Sequence, residues 1–569
     1  MLRWLTWLLL LLIVFAVTSV LLLRLATVQT WLAHRLSAYL ADRGLACMTV
    51  GEVEVTLFDG VRLNEVMLCD MRGDTLIAAR SLKLVRWRVD LERHRVHVHE
   101  LELDGARWYL AQALGDSTSN FTQWIASFGG SDTAAGGSPW VIQWDRFKIH
   151  DFAFTHHDAN EPVLPFGVDF DHIEVRDAVV EGHDLLVIED SISAVLEEVR
   201  FRERSGLVCE HFSGDAIVSP HGILVDGLRL RTPGSDVRAD VRLLSTSWDD
   251  HSDFLQKVRL KVELDSSKVR FSDIAFFASE LEGMDLEVMA KGEFRGPIAE
   301  LKGRKVSLWY GDRTRFEGAV ELSGLPELAN TFIVLDVEQL RTDLADLRTL
   351  PTAPFTEGGR LELPEELAAL GTMSFRGNFT GFFTSFTAYG SASTAIGALS
   401  TDMSYERDTV SRIFAFHGAL ASEGFDLGPL IGDATLGTMA CDLKVNARGR
   451  NFAGMQADLE GMVPLLTLNG QAVSGITVNG RLQRDLFNGH LECDDPYLQL
   501  TFDGLADLRG RWPKVDFTAA VRHADLFGLR VLPKQHLGEV SFSIDARGEL
   551  APDSLKGTLS VKDLTYCDD

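Results

Sequence analysis

MSFRGNFTGFF, running from Met373 to Phe383, decides how this chain is read. Met373, Phe375, Phe379 and Phe383 fall on one side of an extended segment, and Ser374, Arg376, Asn378 and Thr380 on the other. Strand side chains alternate between faces, so the pattern specifies a sheet with one apolar and one wet face. Glycines 377 and 381 permit bulges and curvature. The alternation recurs at Leu498, Leu500 and Phe502, at Val515, Phe517, Ala519 and Val521, and at Val540, Phe542, Ile544 and Ala546. Towards the N-terminus, Val53–Phe58, Val61–Leu68, Leu76–Trp87 and Arg95–Leu103 repeat it. The short turns between them, such as Asp59-Gly60, predict antiparallel pairing. A Gly-x-Phe-x-Gly core occurs at Gly292–Gly296 and Gly377–Gly381, and related glycine-bounded strands follow at 449–454, 475–480 and 548–557. Their irregular spacing is not that of a tidy solenoid. The expected fold is mainly β, an elongated, curled antiparallel sheet with a few short helices. Pattern alone leaves two readings of the apolar face, the inside of a closed sandwich or an open trough. Few helical segments exist to cover it, so either the sheet curls on itself or something apolar fills it.

At the front, Trp4 to Leu23 is an uncharged apolar run between Arg3 and Arg24. Twenty residues at about 1.5 Å rise span about 30 Å, the thickness of a bilayer core. A cleaved signal peptide is the alternative, but its apolar region is usually about 7–15 residues and ends at a small-residue site. No Ala-x-Ala follows Leu23, so an uncleaved transmembrane anchor is expected over residues 1–26. Flanking charge leaves orientation open, since Arg3 opposes Arg24, Arg35 and Arg43. Val28 to Arg43 predicts a second helix, its apolar face made by Val28, Trp31, Leu32, Leu36, Tyr39 and Leu40. That face suits either the membrane interface or the end of the β body. A juxtamembrane helix and N-terminal β unit are expected over 27–128, a loop over 129–139 (GGSDTAAGGSP), and the long β-groove region over 140–569. Short helices are expected at Asp273–Leu281, capped by Ser272, and at Val337–Leu347.

The chain has 569 residues, 82 Asp and Glu against 55 Lys and Arg, and a net charge of −27. That balance argues against a nucleic-acid partner, which needs a basic footprint. It also argues against the β body lying flat on an anionic membrane. Six widely spaced cysteines form neither a disulfide framework nor a zinc motif, and read as small buried hydrophobes. His97, His99 and Glu100 lack the convergent ligands of a metal site, and His156-His157-Asp158 reads as a polar turn. There is no phosphate-binding loop, nucleophile elbow or dinucleotide fingerprint. No enzyme activity, metal or cofactor is expected.

Several stretches resemble the AsmA-like superfamily, and most closely its TamB (translocation and assembly module) branch of bacteria with two membranes. They are Val28-Gln-Thr-Trp-Leu32, GDTLIAARSLKL (Gly73–Leu84), FGVDFDHIEVRDA (Phe166–Ala178), FDLGPLIGDATLGTM (Phe425–Met439), the glycine-rich strands Asn446–Gly480, and ARGELAPDSLKGTLSV (Ala546–Val561). The resemblance implies an inner-membrane, single-pass protein with its β region in the periplasm. It implies an apolar trough that passes phospholipid acyl chains toward the outer membrane. It also implies an alternative, a scaffold for outer-membrane protein assembly with an Omp85-type barrel partner. Members of the family run longer and end in a further β domain, so this chain is expected to be an N-terminal portion. Phe375, Phe379, Phe383, Leu500, Phe502, Phe517, Phe542 and Ile544 are the expected lipid-lining residues.

Overall fold

The computed structural model describes residues 27, 29–31, 35, 48–56, 60–127, 139–351, 360, 363, 365–408, 410–450, 454–509, 511–531, 539–551 and 554–566. The expected anchor, most of the second helix, nearly all of the 129–139 stretch, Cys47 and Cys567 lie outside these residues. No described helix is long and apolar enough to cross a membrane. The described chain is mainly β, with a few short helices, and forms two compact units, Met1–Ile298 and Ala299–Asp569.

In the first unit the described strands are β1 (Met48–Thr56), β2 (Gly60–Cys69), β3 (Thr75–Asp90), β4 (Arg95–Asp104), β5 (Arg107–Gln112), β6 (Val141–Asp158), β7 (Glu174–Ile188), β8 (Ser191–Glu203), β9 (Val208–Ser219), β10 (Gly222–Arg231), β11 (Asp236–Leu244), β12 (Arg259–Arg270) and β13 (Glu287–Pro297). Strands β1 to β4 pair in order and antiparallel, as do β6 to β13. The junction departs from the expected antiparallel order. β4 and β5 form one lane broken at Gly105-Ala106, and both pair in parallel with β6. A parallel pair needs a crossover of about a dozen residues or more. The segment from Ala113 to Trp140, which contains the helix Asn120–Ser127, supplies it. Strands on either side of 129–139 therefore belong to one sheet.

The free edge of β1 is covered. Residues 27, 29–31 and 35 are helical, as the sequence predicts. The Val55 amide donates to Gln29 Oε1 at 2.6 Å, Gln29 Nε2 donates to the Val55 carbonyl at 3.2 Å, and the Val53 amide donates to Thr30 Oγ1 at 2.9 Å. Two side chains thus occupy backbone groups that an uncovered edge would offer to another strand.

The second unit is a plain meander. Its described strands are β14 (Glu300–Tyr310), β15 (Thr314–Ser323), β16 (Phe332–Asp343), β17 (Thr372–Phe382), β18 (Ser385–Thr394), β19 (Gly397–Arg407), β20 (Phe414–Asp426), β21 (Leu436–Gly449), β22 (Gln456–Leu468), β23 (Gln471–Gln483), β24 (Leu486–Asp495), β25 (Leu498–Asp507), β26 (Lys514–Asp525), β27 (Glu539–Ala551) and β28 (Ser554–Tyr566). Each pairs antiparallel with the next.

Both expected short helices are corrected. The first begins at Phe271 with no side-chain cap, and Ser272 lies inside its first turn. The second begins at Leu344, because Val337 and Leu340 belong to β16. A bulge between Val337 and Leu340 in the β16–β17 ladder puts both on one face, and this three-residue spacing imitates a helical period. The N-cap is Asp343, whose carboxylate accepts from the Asp346 amide.

Asp346 ties this helix to the β14–β15 turn. Its buried carboxylate accepts from the amides of Asp312 (3.2 Å), Arg313 (2.8 Å) and Thr314 (2.7 Å), and from the Thr314 hydroxyl (2.9 Å). Burial pushes its pKa up, but these donors outweigh burial and hold it below the usual carboxylate range. The folded pKa lies below the unfolded one, so the stabilisation is complete above the unfolded value of about 3.9. It is lost as pH falls through the lowered folded value. Asp346→Asn turns a donor toward donors and should cost about 1–3 kcal/mol at neutral pH. Urea titrations should show the gap between parent and variant closing in acid. A gap that stays constant would show that charge plays no part.

Candidate functional site

Directly paired residues lie on the same face of a sheet, so the register can be followed from strand to strand as lanes. In the second unit one lane runs Gly303, Val320, Leu335, Phe379, Ala388, Met403, Gly418, Val445, Leu459, Gly480, Gly489, Gly504, Phe517 and Ala546. Beside it on the same face runs Val306, Gly318, Val337, Gly377, Gly390, Thr401, Leu420, Leu443, Gly461, Val478, Leu491, Phe502, Ala519 and Ile544. On its other flank lie Leu301, Leu322, Ile333, Gly381, Phe386, Tyr405, Phe416, Ala447, Ala457, Leu482, Phe487, Ala506, Val515 and Gly548. From β14 to β27 these three lanes contain no charged residue. Their polar groups are the Thr401 hydroxyl and the Tyr405 phenol.

The opposite face is the chemical inverse. The lane through Asn378 reads Tyr389, Asp402, Ala419, Lys444, Glu460, Asn479, His490, Asp503, Thr518 and Asp545. The first unit is sorted in the same way. Val53, Leu63, Leu82, Leu103, Ile149, Val180, Val199, Phe212, Leu230 and Val237 form an apolar lane. On its other face Glu54, Arg62, Lys83, Glu102, Lys148, Glu181 and Glu198 follow one another. Opposite charges meet there, as in the Lys83–Glu102 pair at 3.0 Å.

Aromatic rings cross the strands on the apolar face of the second unit. Phe379, Phe386, Tyr405 and Phe416 follow one another with centroids 4.5, 4.9 and 5.2 Å apart. Phe487, Phe502 and Phe517 form a second row, at 5.6 and 4.9 Å. Each contact contributes about 0.5–1.5 kcal/mol beyond area burial. The rings lie against glycines. A Cβ on Gly480 would stand 3.0 Å from the Phe487 ring, and one on Gly390 would stand 2.9 Å from the Phe375 ring. The ring covers backbone that glycine leaves bare. The face is not sealed. Phe379, Phe386, Phe416, Phe487, Phe502, Phe517 and Ile544 are all half-buried, and Leu482 is 43% exposed.

The expected lining residues divide into three groups. Phe379, Phe502, Phe517 and Ile544 stand in the central lanes, and Phe375 lies one lane out, paired with Leu340 and Ala392. Leu500 and Phe542 pack into a core cluster with Val473, Cys493, Val521 and Ala524, covered by Leu526 and Leu529 of the segment after β26. Phe383 lies past the end of β17, in the turn, and is 59% exposed, so it leaves the face that strict alternation assigned to it. Phe386, Tyr405, Phe416 and Phe487 were missed. Their signal is present, since Phe386, Ala388 and Gly390 alternate with Thr387 and Tyr389, but an exposed tyrosine on the polar face obscures it.

The polar clusters around Asp145, Asp169 and Asp495 are internally hydrogen-bonded. His97 Nε2 and His99 Nδ1 both engage Asp145, at 2.7 and 2.8 Å, and the His97 and His99 hydrogen bonds hold its pKa below the usual range. Buried Asp169 receives the Leu164 and Asp171 amides and touches His172 at 3.0 Å. Buried Asp495 receives the Ser474 amide and hydroxyl and the Tyr497 amide. Cys209 and Cys493 are buried thiols whose pKa burial pushes up to about 11, which keeps them protonated. Among the described residues, no group of three or more His, Cys, Asp or Glu is placed to hold a metal ion. Compared with family models, curated proteins and solved structures, the chain finds no match.

Proposed function

We propose that this chain is an inner-membrane-anchored, periplasmic protein that carries phospholipid acyl chains between two membranes, along a groove into which its sheet curls. The observation that carries the reading is the run of three charge-free lanes across fourteen consecutive strands. Burial contributes about 0.8 kcal/mol per CH₂, so one acyl chain of ordinary length gains on the order of 10 kcal/mol on such a surface. Neighbouring positions offer similar burial, so a chain can move along the lanes without entering water. The headgroup stays at the open side. The half-buried aromatic rings support an open face that an apolar ligand completes. The anchor, the compartment and the outer-membrane destination rest on the sequence resemblance and on the run from Trp4 to Leu23.

The test is a photo-reactive residue placed at Ile544 or at Asn378 of the full chain in cells, followed by lipid mass spectrometry. Phospholipid adducts at Ile544 and none at Asn378 are expected. Equal labelling, or no phospholipid at either, would overturn the reading. A barrel protein captured at Ile544 without lipid would favour the assembly-scaffold alternative.

A further inference from the structure

One end of the second unit's sheet runs against the charge of the whole protein. In a meander, alternate turns emerge at the same end. The turns β19–β20, β21–β22, β23–β24 and β25–β26 do so, as the pairs Phe414–Gly449, Arg448–Gln456, Gln483–Leu486 and Asp507–Lys514 fix. Segments 406–414, 447–456, 481–486 and 507–514 carry nine Lys and Arg and four Asp and Glu, in a chain whose net charge is −27. Of the turns at the opposite end of these strands, 394–397, 424–436, 468–471 and 494–498 carry no Lys or Arg and four Asp, while 525–539 carries Arg530 and Lys534 with Asp525 and Glu539. Two of the basic turns, β23–β24 and β25–β26, are tied together, since Arg509 reaches Gln483 at 2.9 Å and the Leu508 amide donates to the Asp485 carbonyl at 2.8 Å. Arg481, Arg484 and Arg509 have acidic partners. Arg407, Arg412, Arg448, Arg450, Arg511 and Lys514 are exposed and make no ion pair among the described residues.

Apolar tips stand among these cations. Val410 is 92% exposed and Leu508 57% exposed, and the Arg511 guanidinium lies 5.0 Å from the centroid of the Trp512 ring. A dissolved polyanion has no use for an exposed valine beside arginines. A bilayer surface has a use for both, because phosphates meet the cations while Val410, Leu508 and Trp512 enter the interface. Strands are about 4.8 Å apart, so four such turns cover roughly 30 Å of membrane.

We propose that this end of the sheet docks onto an anionic phospholipid bilayer, meeting it edge-on. Docking in this manner is compatible with the acidic net charge, which opposes the body lying flat. Only the basic rim comes within a Debye length of about 10 Å, while the acidic turns stand a strand length away. The proposal does not depend on acyl chains occupying the apolar face, and lipid adducts at Ile544 can fail while docking succeeds, or the reverse.

The test is flotation of the full chain with vesicles of phosphatidylcholine, alone or containing phosphatidylglycerol. The apolar run at the N-terminus acts equally on every variant, so the rim is read by difference. Each arginine near an anionic surface contributes about fivefold, so R412Q/R450Q/R511Q should bind the anionic vesicles about 100-fold more weakly. The control R229Q/R259Q/R304Q loses the same charge from exposed sites elsewhere and should bind like the parent. Val410→Asp should weaken binding to both vesicle types, and high salt should remove the anionic preference. Circular dichroism checks that each variant keeps its strand signal. Equal binding by the rim variant and the parent overturns the proposal, as does equal weakening of the rim and control variants. Competition by a polyanion such as heparin at equal charge concentration would replace the lipid assignment with a general polyanion site.

Discussion

Phe502→Asp should strip the full chain of bound phospholipid, by 100-fold or more relative to the parent. Phe502 lies in a central lane between Leu491 and Ala519, with Phe487 and Phe517 against its ring. An acyl chain laid over an ionised carboxylate removes that charge from water without a partner, which costs several kcal/mol. Every 1.4 kcal/mol is a factor of ten, so about 3 kcal/mol suffices for the expected loss. The ring contacts are lost as well, so Phe502→Asn separates charge from shape and should retain much of the lipid. Thr518→Asp, on the polar face, should bind lipid like the parent. Lipid per mole of purified protein, by mass spectrometry, is the readout. If Phe502→Asp and Thr518→Asp retain equal lipid, the lanes do not hold acyl chains.

Gly504→Ala should be a strongly disruptive small change in the second unit. Gly504 has a φ of +125°, which residues with a Cβ rarely adopt. A Cβ there would stand 2.2 Å from the Asp516 carbonyl oxygen of the adjacent strand. Backbone strain of this kind costs about 1–3 kcal/mol, and prising the β25–β26 ladder apart adds to it. We expect at least about 3 kcal/mol of lost stability in urea unfolding, with hydrogen exchange accelerated first in β25 and β26. Ala506→Gly, two residues along the same strand and facing the same way, should lose only about 0.5–1 kcal/mol. Comparable losses from the two changes would mean that the sheet relaxes around Gly504 and that the glycine is not required.

Much of this was legible in the sequence, because alternation is a local property. The apolar face at Met373–Phe379 and at Val515–Val521 follows from counting by twos. Bulges break that count. Val337 and Leu340 straddle one in the β16–β17 ladder, and their spacing then mimics a helix. Strand ends break it too, which is why Phe383 leaves the face. Closure over Leu500 and Phe542 depends on the segment between β26 and β27, which lies outside both of their strands, and no pattern within either strand reports it. Continuity of the lanes is a matter of register between strands. Each strand pair sets its own offset, and a single sequence does not display the sum of thirteen of them. The basic rim was hidden for another reason, since net charge averages over the turns that carry it.

The plain order of the second unit has a consequence for how it can be built and how it can change. Among the described residues every strand of this unit pairs only with its neighbours in sequence, so most hairpins close a short loop, the β16–β17 connection being the long one. Such a sheet can zip up as the chain emerges. It is also extensible. Adding or deleting one hairpin shifts no register elsewhere and changes the length of every lane by about 10 Å, two strand spacings. Span then becomes a quantity that duplication can adjust in even steps, while the chemistry of both faces is inherited unchanged.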